Sequence, residues 1–245
     1  MDEMIEKVFS CYKLHIFKDK LDLSINLSNY IENQIVKLLK NKSRFQFCVS
    51  GGSTPKSVYQ LLSERDIEWN KVDIFLGDER CVDPKSELSN SLMLKNSLLT
   101  KYGSKAFFYE IFGDKKVDDN ISKNLLISKM SEKCNGHPPS FDLTLLGLGD
   151  DGHTASLFPY QKDNNADDLV IFNEGKGLKR ISLTPKVLSA SSNIIFLVSG
   201  ASKQLALQRL LDKNESQERT PSKLIKSSNQ ISIFCDEESS KELSI

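Results

Sequence analysis

Short apolar segments recur along the chain, and a glycine follows several of them within two residues. Residues 45–50 (FQFCVS) alternate aromatic and polar side chains and precede two glycines. Three further segments are rich in Val, Ile, Leu and Phe: 72–76 (VDIFL), 141–146 (FDLTLL) and 193–198 (NIIFLV). Such runs are typical of strands buried on both faces of a sheet, and residues 231–235 are another strand candidate.

The stretches between these segments carry helical spacing. Apolar positions three or four residues apart predict one helix around Ile31 and Ile35 and a second around Val58 and Leu62. A third pattern covers residues 205–211 less regularly. Strands that alternate with helices predict an α/β fold with a largely parallel sheet flanked by helices. No linker interrupts the pattern, so residues 1–245 are expected to form a single domain.

The start of the second helix carries its own signal. Pro55 directly follows Ser53 and Thr54. Proline is favoured in the first turn of a helix, and a hydroxyl side chain before it is a common cap. We therefore expect a hydroxyl-capped helix to begin at this point.

Charge and hydropathy exclude two classes of partner. The chain has 33 basic and 33 acidic residues and no formal net charge, whereas proteins that bind nucleic acids show a basic excess or stripe. The longest apolar run, residues 194–198, is far shorter than the roughly 18 residues of a membrane span. We expect neither a nucleic acid nor a membrane as partner, while a local site for a small anion stays possible.

Cysteine usage and the first residues indicate the compartment. The five cysteines are scattered, odd in number and without a C-x-x-C pair, as in a reduced protein. The segment MDEMIEKVFS carries charges of both signs and lacks the apolar core of a signal peptide. A cytoplasmic protein is the expectation.

In parallel α/β sheets ligands bind beyond the carboxyl ends of the strands, so the loops that follow strands are the places to search. The first such loop contains Gly51, Gly52, Ser53 and Thr54. Two glycines let the backbone approach a ligand, and the free N–H groups of a following helix favour a phosphate. An ordinary tight turn is the alternative interpretation. The segment is not a Walker loop, because it lacks the G-x-x-x-x-G-K-[ST] pattern.

The second loop is 77–80 (GDER), directly after the strand VDIFL. Three consecutive charges at a strand end are often a solvated loop. In a functional site, Arg80 would be a permanently charged, planar clamp for phosphate or carboxylate. Asp78 would orient a base or bind a sugar hydroxyl.

The third loop, 147–156 (GLGDDGHTAS), contains G-x-G-x-x-G after a strand. We reject dinucleotide binding, because Pro159 arrives too soon for the long helix that this motif requires. His153 is the better candidate: in a glycine-rich loop it can titrate near neutral pH as a general base, with Asp151 fixing its tautomer. A structural histidine is the alternative. No second His or Cys has ligand spacing to His153, so no metal is expected.

Together these segments resemble the 6-phosphogluconolactonase family over most of the chain and in the expected order. The matching motifs are SGGSTP at 50–55, FLGDERCV at 75–82, Ser89-Asn90, FDLTLLGLGDDGHTASLFP at 141–159, RISLTPKVLSAS at 180–191 and FLVSGASKQLAL at 196–207. The resemblance implies a fold similar to glucosamine-6-phosphate deaminase and ribose-5-phosphate isomerase. It also implies hydrolysis of 6-phospho-D-glucono-1,5-lactone without metal or cofactor.

The same resemblance suggests roles for individual residues. His153 is similar to the family's catalytic base. The anion-binding groups are then the loop Gly51, Gly52, Ser53 and Thr54 together with Arg80 and Lys203, and Arg80 is left open between the phosphate and the developing oxyanion. Asp78, Asn90 and Arg180 belong to motifs that line the same cleft. The pathway further implies a functional link to glucose-6-phosphate dehydrogenase.

Three departures from the family pattern are modest. Asp150 stands where proline is common, the segment after Asn90 lacks an aromatic residue, and the sequence ASK at 201–203 is less glycine-rich. The last of these makes Lys203 the least secure assignment.

Two other functions stay open. Glucosamine-6-phosphate deaminase chemistry would need acidic groups soon after the histidine, and none occurs between His153 and Asp163. A non-catalytic sugar-phosphate sensor would keep the phosphate loop without a base. A further alternative is that the chain is one module of a longer polypeptide, such as a fusion with glucose-6-phosphate dehydrogenase.

Overall fold

The computed structural model describes residues 5–112, 119–165 and 167–243. A large sheet of eight strands runs through the described residues in the order β1-β2-β11-β10-β7-β3-β4-β6. Its strands are β1 (Ile5–Phe9), β2 (Tyr12–Phe17), β3 (Phe45–Val49), β4 (Val72–Leu76), β6 (Phe107–Tyr109), β7 (Leu143–Gly147), β10 (Asn193–Val198) and β11 (Ile231–Asp236). Only the β1–β2 pair is antiparallel among these neighbours.

Helices connect and cover these strands. They are α1 (Lys20–Leu39), α2 (Ser53–Ser63), α3 (Asn90–Lys95), α4 (Asp119–Lys133), α5 (Pro185–Ser189), α6 (Gln204–Leu211) and α7 (Glu237–Ser240). The expected apolar faces are confirmed, since Ile31 and Ile35 of α1 and Val58 and Leu62 of α2 are fully buried. None of the helices in the described ranges is both long and apolar enough to cross a membrane. The α/β fold with a mostly parallel central sheet is confirmed.

The predicted cap of α2 is wrong in detail. The helix already begins at Ser53, and its cap is Gly52, which has a positive φ of 117° and offers no side-chain hydrogen bond. A glycine is needed there because other residues rarely adopt that backbone conformation. The first amides of α2 are therefore left without a side-chain cap.

Five strands predicted from the sequence are present as β3, β4, β7, β10 and β11. A second, three-stranded antiparallel sheet in the order β5-β9-β8 was not predicted. It contains β5 (Asp78–Arg80), β8 (Val170–Gly175) and β9 (Leu178–Leu183). Interpreting GDER as a loop is thus wrong: Asp78–Arg80 is a strand, with Arg80 opposite Arg180. This strand has no apolar side chain, so its pairing with β9 is a tertiary contact that hydrophobic periodicity does not reveal.

The carboxyl ends of four adjacent parallel strands, β10, β7, β3 and β4, meet at one edge of the large sheet. The three loops singled out from the sequence all follow strands at this edge. The small sheet also starts there, because β5 comes one residue after β4. This edge is where an α/β sheet offers a ligand site.

Candidate active site

Ten of the eleven residues selected from the sequence line one open cleft of about 800 Å³ at this edge: Gly51, Gly52, Ser53, Thr54, Asp78, Arg80, Asn90, His153, Arg180 and Lys203. The eleventh, Asp151, contacts His153. The expectation that the loops converge on one cleft is confirmed. The roles of the individual residues stay predictions.

The loop between β3 and α2 is fixed by hydrogen bonds to the side chain of a buried tyrosine. The Tyr59 hydroxyl donates a hydrogen bond to the Ser50 carbonyl (2.8 Å) and accepts one from the Ser50 amide (3.1 Å). Gly51 is required for space, because a Cβ there would lie 1.9 Å from Oδ1 of Asn90. Ser50 lines the cleft, and its hydroxyl is buried without a hydrogen-bond partner in the described structure. The amides at the start of α2, which have no side-chain cap, are donors suited to an anion.

Asp78 links the small sheet to the histidine loop. Its Oδ2 accepts a hydrogen bond of 2.5 Å from the Ser156 hydroxyl and lies 3.9 Å from Nη1 of Arg180. The Asn90 side-chain amide donates to the carbonyl of Asp78 (2.9 Å). These contacts bring Asp78, Asn90 and Arg180 to one wall of the cleft.

Arg80 retains unused donors. Its Nη1 donates to the carbonyl of Leu88 at 2.5 Å. Its Nε is buried and has no hydrogen-bond partner among the described residues. Because a buried N–H without a partner costs free energy, this atom indicates that an anion or a water completes the site.

The glycines of the third loop shape the backbone around His153. A Cβ on Gly149 would lie 2.0 Å from His153 Nδ1, and the Gly149 amide donates to the His153 carbonyl (2.8 Å). Gly152 has a φ of 92° and packs against Thr220. The next helical element is a short 3₁₀ turn at Lys162–Asn165, so in the described residues the long helix of a dinucleotide-binding motif does not follow this loop.

Asp151 orients the imidazole. Its Oδ1 lies 2.5 Å from His153 Nδ1 and also accepts the His153 backbone N–H at 3.1 Å. Burial alone would raise the pKa of Asp151, but the hydrogen bonds and charge of His153 lower it well below the usual value. Because an ionised carboxylate only accepts hydrogen bonds, the contact with Asp151 favours the tautomer of the neutral ring that carries its proton on Nδ1 and leaves Nε2 as the acceptor.

Two further cations line the cleft. Arg180 is buried, its guanidinium carbon lies 5.3 Å from the centre of the Phe158 ring, and its Nε donates to the Gly175 carbonyl (3.3 Å). Burial lowers the pKa of Arg180, although Asp78 acts in the opposite direction. Burial also lowers the pKa of Lys203, against the charge of Asp150. A cleft that holds incompletely paired cations favours an anionic ligand.

Sequence reasoning missed three residues that support the site. Ser156 lies within the quoted histidine motif, and Glu79 within GDER, but neither was assigned a role. Tyr59 carried no signal beyond its place in a helix.

Asp150, which stands where proline is common in the family, forms an ion pair of 2.9 Å with Lys176 in the turn between β8 and β9. No group of three or more His, Cys, Asp or Glu side chains in the described ranges is arranged to hold a metal ion.

Comparison with known proteins agrees with this geometry. A family described as "Glucosamine-6-phosphate isomerases/6-phosphogluconolactonase" matches residues 18–233. A 6-phosphogluconolactonase of Nostoc sp. is 30% identical over 238 residues, which cover 95% of this chain and 98% of the relative. One of Thermotoga maritima is 32% identical over 186 residues, covering 74% of this chain and 81% of the relative.

A solved structure extends the agreement to the fold. The crystal structure of a 6-phosphogluconolactonase from Shewanella baltica superposes with a TM-score of 0.82 at 25% identity, covering 96% of this chain and 100% of that one. The family match spans most of the sequence, and the two relatives are aligned over 98% and 81% of their length. The chain therefore belongs to the glucosamine-6-phosphate isomerase/6-phosphogluconolactonase family.

Proposed function

We propose that the chain hydrolyses 6-phospho-D-glucono-1,5-lactone to 6-phospho-D-gluconate, a step of the oxidative pentose phosphate pathway. The relatives that bear the name 6-phosphogluconolactonase support this reaction. The observation that carries the proposal is His153, held by Asp151 at 2.5 Å and facing a cleft lined by Arg80, Arg180 and Lys203. This is a general base beside cations suited to a phosphorylated substrate.

The arrangement supports a two-step mechanism. Nε2 of His153 takes a proton from a water molecule while the water oxygen bonds to C1 of the lactone. The π electrons of the C1 carbonyl move onto the carbonyl oxygen. The tetrahedral intermediate then collapses, the bond between C1 and the ring oxygen breaks, and the imidazolium returns its proton to that oxygen. The carboxylic acid formed at C1 releases its proton to solvent, which gives 6-phospho-D-gluconate. Ionised Asp151 stabilises the imidazolium between these steps. Water, an electrophilic carbonyl and a proton carrier complete the reaction, so no cofactor enters it.

The remaining residues of the cleft bind and orient the substrate. The amides of Gly52, Ser53 and Thr54 and a cationic side chain hold the 6-phosphate, which supplies orientation for the attack. Arg80 lines the cleft, and its guanidinium donates either to the oxyanion or to the phosphate. Asp78, Asn90 and Arg180 line the wall that the sugar hydroxyls would contact.

The proposed setting is the cytoplasm. None of the five cysteines, all of which lie in the described residues, forms a disulfide bond, which suits a reducing compartment. In that compartment, glucose-6-phosphate dehydrogenase would supply the lactone. The ligand that the cleft binds is then a sugar phosphate.

The test is hydrolysis of freshly generated lactone, with the spontaneous rate subtracted. We expect His153→Ala to lower kcat by about 10²- to 10⁴-fold, because proton transfer by a positioned base contributes about that much. The dissociation constant of 6-phosphogluconate, measured by calorimetry, should change less than about threefold, since the binding groups are intact. His137→Ala is the matched control, because His137 is an exposed histidine.

Each alternative has its own result. Equal losses of rate and affinity in His153→Ala would make His153 a binding residue. Binding of 6-phosphogluconate without any acceleration by the wild type would establish the sensor. Release of ammonia from glucosamine 6-phosphate would establish the deaminase.

A further inference from the structure

Glu79 is a buried carboxylate that none of the proposed chemical steps uses. It lies between Asp78 and Arg80 in β5, and only 2% of it is exposed. Both of its oxygens are fully engaged. Oε1 accepts the backbone amides of Arg80 and Asn90, each at 2.7 Å. Oε2 accepts the Ser91 amide at 2.7 Å and the Ser89 hydroxyl at 3.2 Å.

These four donors come from the two segments that carry cleft residues. The Arg80 amide belongs to β5, while the other three donors belong to the start of α3. The Arg80 guanidinium is itself anchored on the carbonyl of Leu88, just before this start. The Asn90 side chain contacts the position of Gly51 and donates to Asp78. A shift of residues 88–91 would therefore move Arg80 and Asn90 together.

We propose that Glu79 is a positioning residue for the reaction, which fixes Arg80 and Asn90 in the cleft without touching the substrate. This inference rests on the proposed lactone hydrolysis. Its geometric basis is a buried carboxylate whose hydrogen bonds tie β5 to α3 and whose neighbours on both segments line the cleft.

The chemistry of the contact explains why a carboxylate is needed. All four partners are donors, so each oxygen of Glu79 must act only as an acceptor. An amide of the same shape would turn an NH₂ group toward at least one backbone N–H group and lose that hydrogen bond. Burial raises the pKa of Glu79, while the amides of Asn90, Ser91 and Arg80 act against that shift.

The first measurement compares Glu79→Gln with the wild type in the lactone assay. We expect kcat/KM to fall by about 10- to 100-fold, because small misplacements of binding groups cause rate losses of this size. Glu110→Gln is the matched control: Glu110 lines the same small cavity as Glu79, but it pairs with Lys95 at the far end of α3 (2.8 Å). Its kcat/KM should stay within about twofold of the wild type.

The decisive measurement repeats the change in a chain that already carries Arg80→Ala and Asn90→Ala. If Glu79 acts through these two residues, Glu79→Gln should lower kcat/KM by no more than about threefold there. The same fold loss in both backgrounds would overturn the proposal, since general destabilisation does not depend on Arg80 and Asn90. Should Glu79→Gln not fold, Ser89→Ala removes one of the four donors and undergoes the same comparison.

A crystal structure of Glu79→Gln gives a readout that does not depend on activity. We expect the Arg80 guanidinium to be displaced by about 1 Å or more from its contact with Leu88. An unmoved guanidinium and Asn90 would overturn the positioning role, whatever the wild type does in the assay. A wild type without lactonase activity would instead contradict the proposed function, while the displacement still tests Glu79.

Discussion

Both edges of the large sheet combine buried carboxylates with cations that are partly or fully buried, but the cations are paired differently at the two edges. At the amino ends of the strands, Asp73 is fully buried and accepts two hydrogen bonds of 2.7 Å from the Arg44 guanidinium. The Tyr109 hydroxyl donates to the same carboxylate at 3.0 Å. Nearby, Asp142 accepts two bonds from the Lys42 ammonium, at 2.7 and 2.9 Å. Each cation there is matched by a carboxylate of the chain.

At the carboxyl edge the matching is incomplete. Arg180 comes no closer to Asp78 than 3.9 Å in the described structure, and Arg80 bonds a carbonyl through Nη1 while its Nε has no partner there. The pKa values reflect the difference. The hydrogen bond to Asp73 raises the pKa of Arg44, whereas burial lowers the pKa of Arg180 and of Lys203.

Buried charge is therefore not by itself a sign of function. A charge pair closed within the chain contributes to the native structure and leaves nothing to bind a ligand. A buried cation whose donors stay unused is costly to the fold, and a ligand that completes its contacts recovers that cost. This is the physical reason for assigning function to one edge of the sheet and structure to the other.

Of the changes that separate the two edges, Arg80→Ala at the carboxyl edge should have the largest effect on activity. We expect kcat/KM to fall by about 10²- to 10³-fold, the loss typical of removing a donor to a transition-state charge. The melting temperature should fall by less than about 4 °C, because one hydrogen bond within the chain, worth about 1 kcal/mol, is lost. Steady-state kinetics and thermal unfolding check both values. A large loss of stability with normal kcat/KM would show that Arg80 has a structural role, and it would contradict the assignment of function to the carboxyl edge.

The reverse pattern is expected at the amino edge, for Arg44→Ala. This change leaves Asp73 buried without its cation, and we expect it to lower the free energy of unfolding by about 2 kcal/mol. That is less than for a fully buried pair, because the Arg44 side chain is 34% exposed. For a chain of 245 residues the melting temperature should fall by about 5 °C, with kcat/KM within about twofold of the wild type.

A weaker ion pair provides the control for Arg44→Ala. Arg65 lies 3.7 Å from Glu32, with both side chains about a third exposed. Because exposed pairs contribute about 0–1 kcal/mol, Arg65→Ala should change the melting temperature by less than about 3 °C. If Arg65→Ala and Arg44→Ala destabilise equally, the buried pair has no special role.

The sequence was sufficient for the parts of the structure that depend on local pattern. The central parallel strands were recognisable as short apolar runs before glycines, and the Gly-rich loops at their carboxyl ends led to His153 and to the start of α2. The small sheet was not recognisable, because β5 consists of Asp78, Glu79 and Arg80 and depends on its pairing with β9. Charged residues at a strand end have the same pattern whether they are solvated or buried.

The difference between the two edges was equally hidden. Arg80 directly follows Asp78 and Glu79 in the sequence, whereas no acidic residue lies between Glu32 and Glu64 on either side of Arg44. Asp73, 29 positions along the chain, pairs with the Arg44 guanidinium, whereas no carboxylate in the described residues hydrogen-bonds the Arg80 guanidinium. Distances between side chains of separate elements decide this, and one sequence does not contain them. The family motifs marked Arg80 as functional without showing the reason.

The smallest effect concerns Lys203, and it tests whether a ligand makes the carboxyl edge resemble the amino edge. Because burial lowers its pKa, the ammonium should lose its proton below the value of about 10.4 that is usual for lysine. Binding of 6-phosphogluconate should raise that pKa, since a nearby phosphate favours the charged form as Asp73 does for Arg44. NMR titration of the lysine side chains with and without 6-phosphogluconate measures both shifts, with Lys203→Met assigning the signal. A titration midpoint unchanged by saturating ligand would remove Lys203 from the anion-binding groups and leave Arg80 and Arg180 to complete the site.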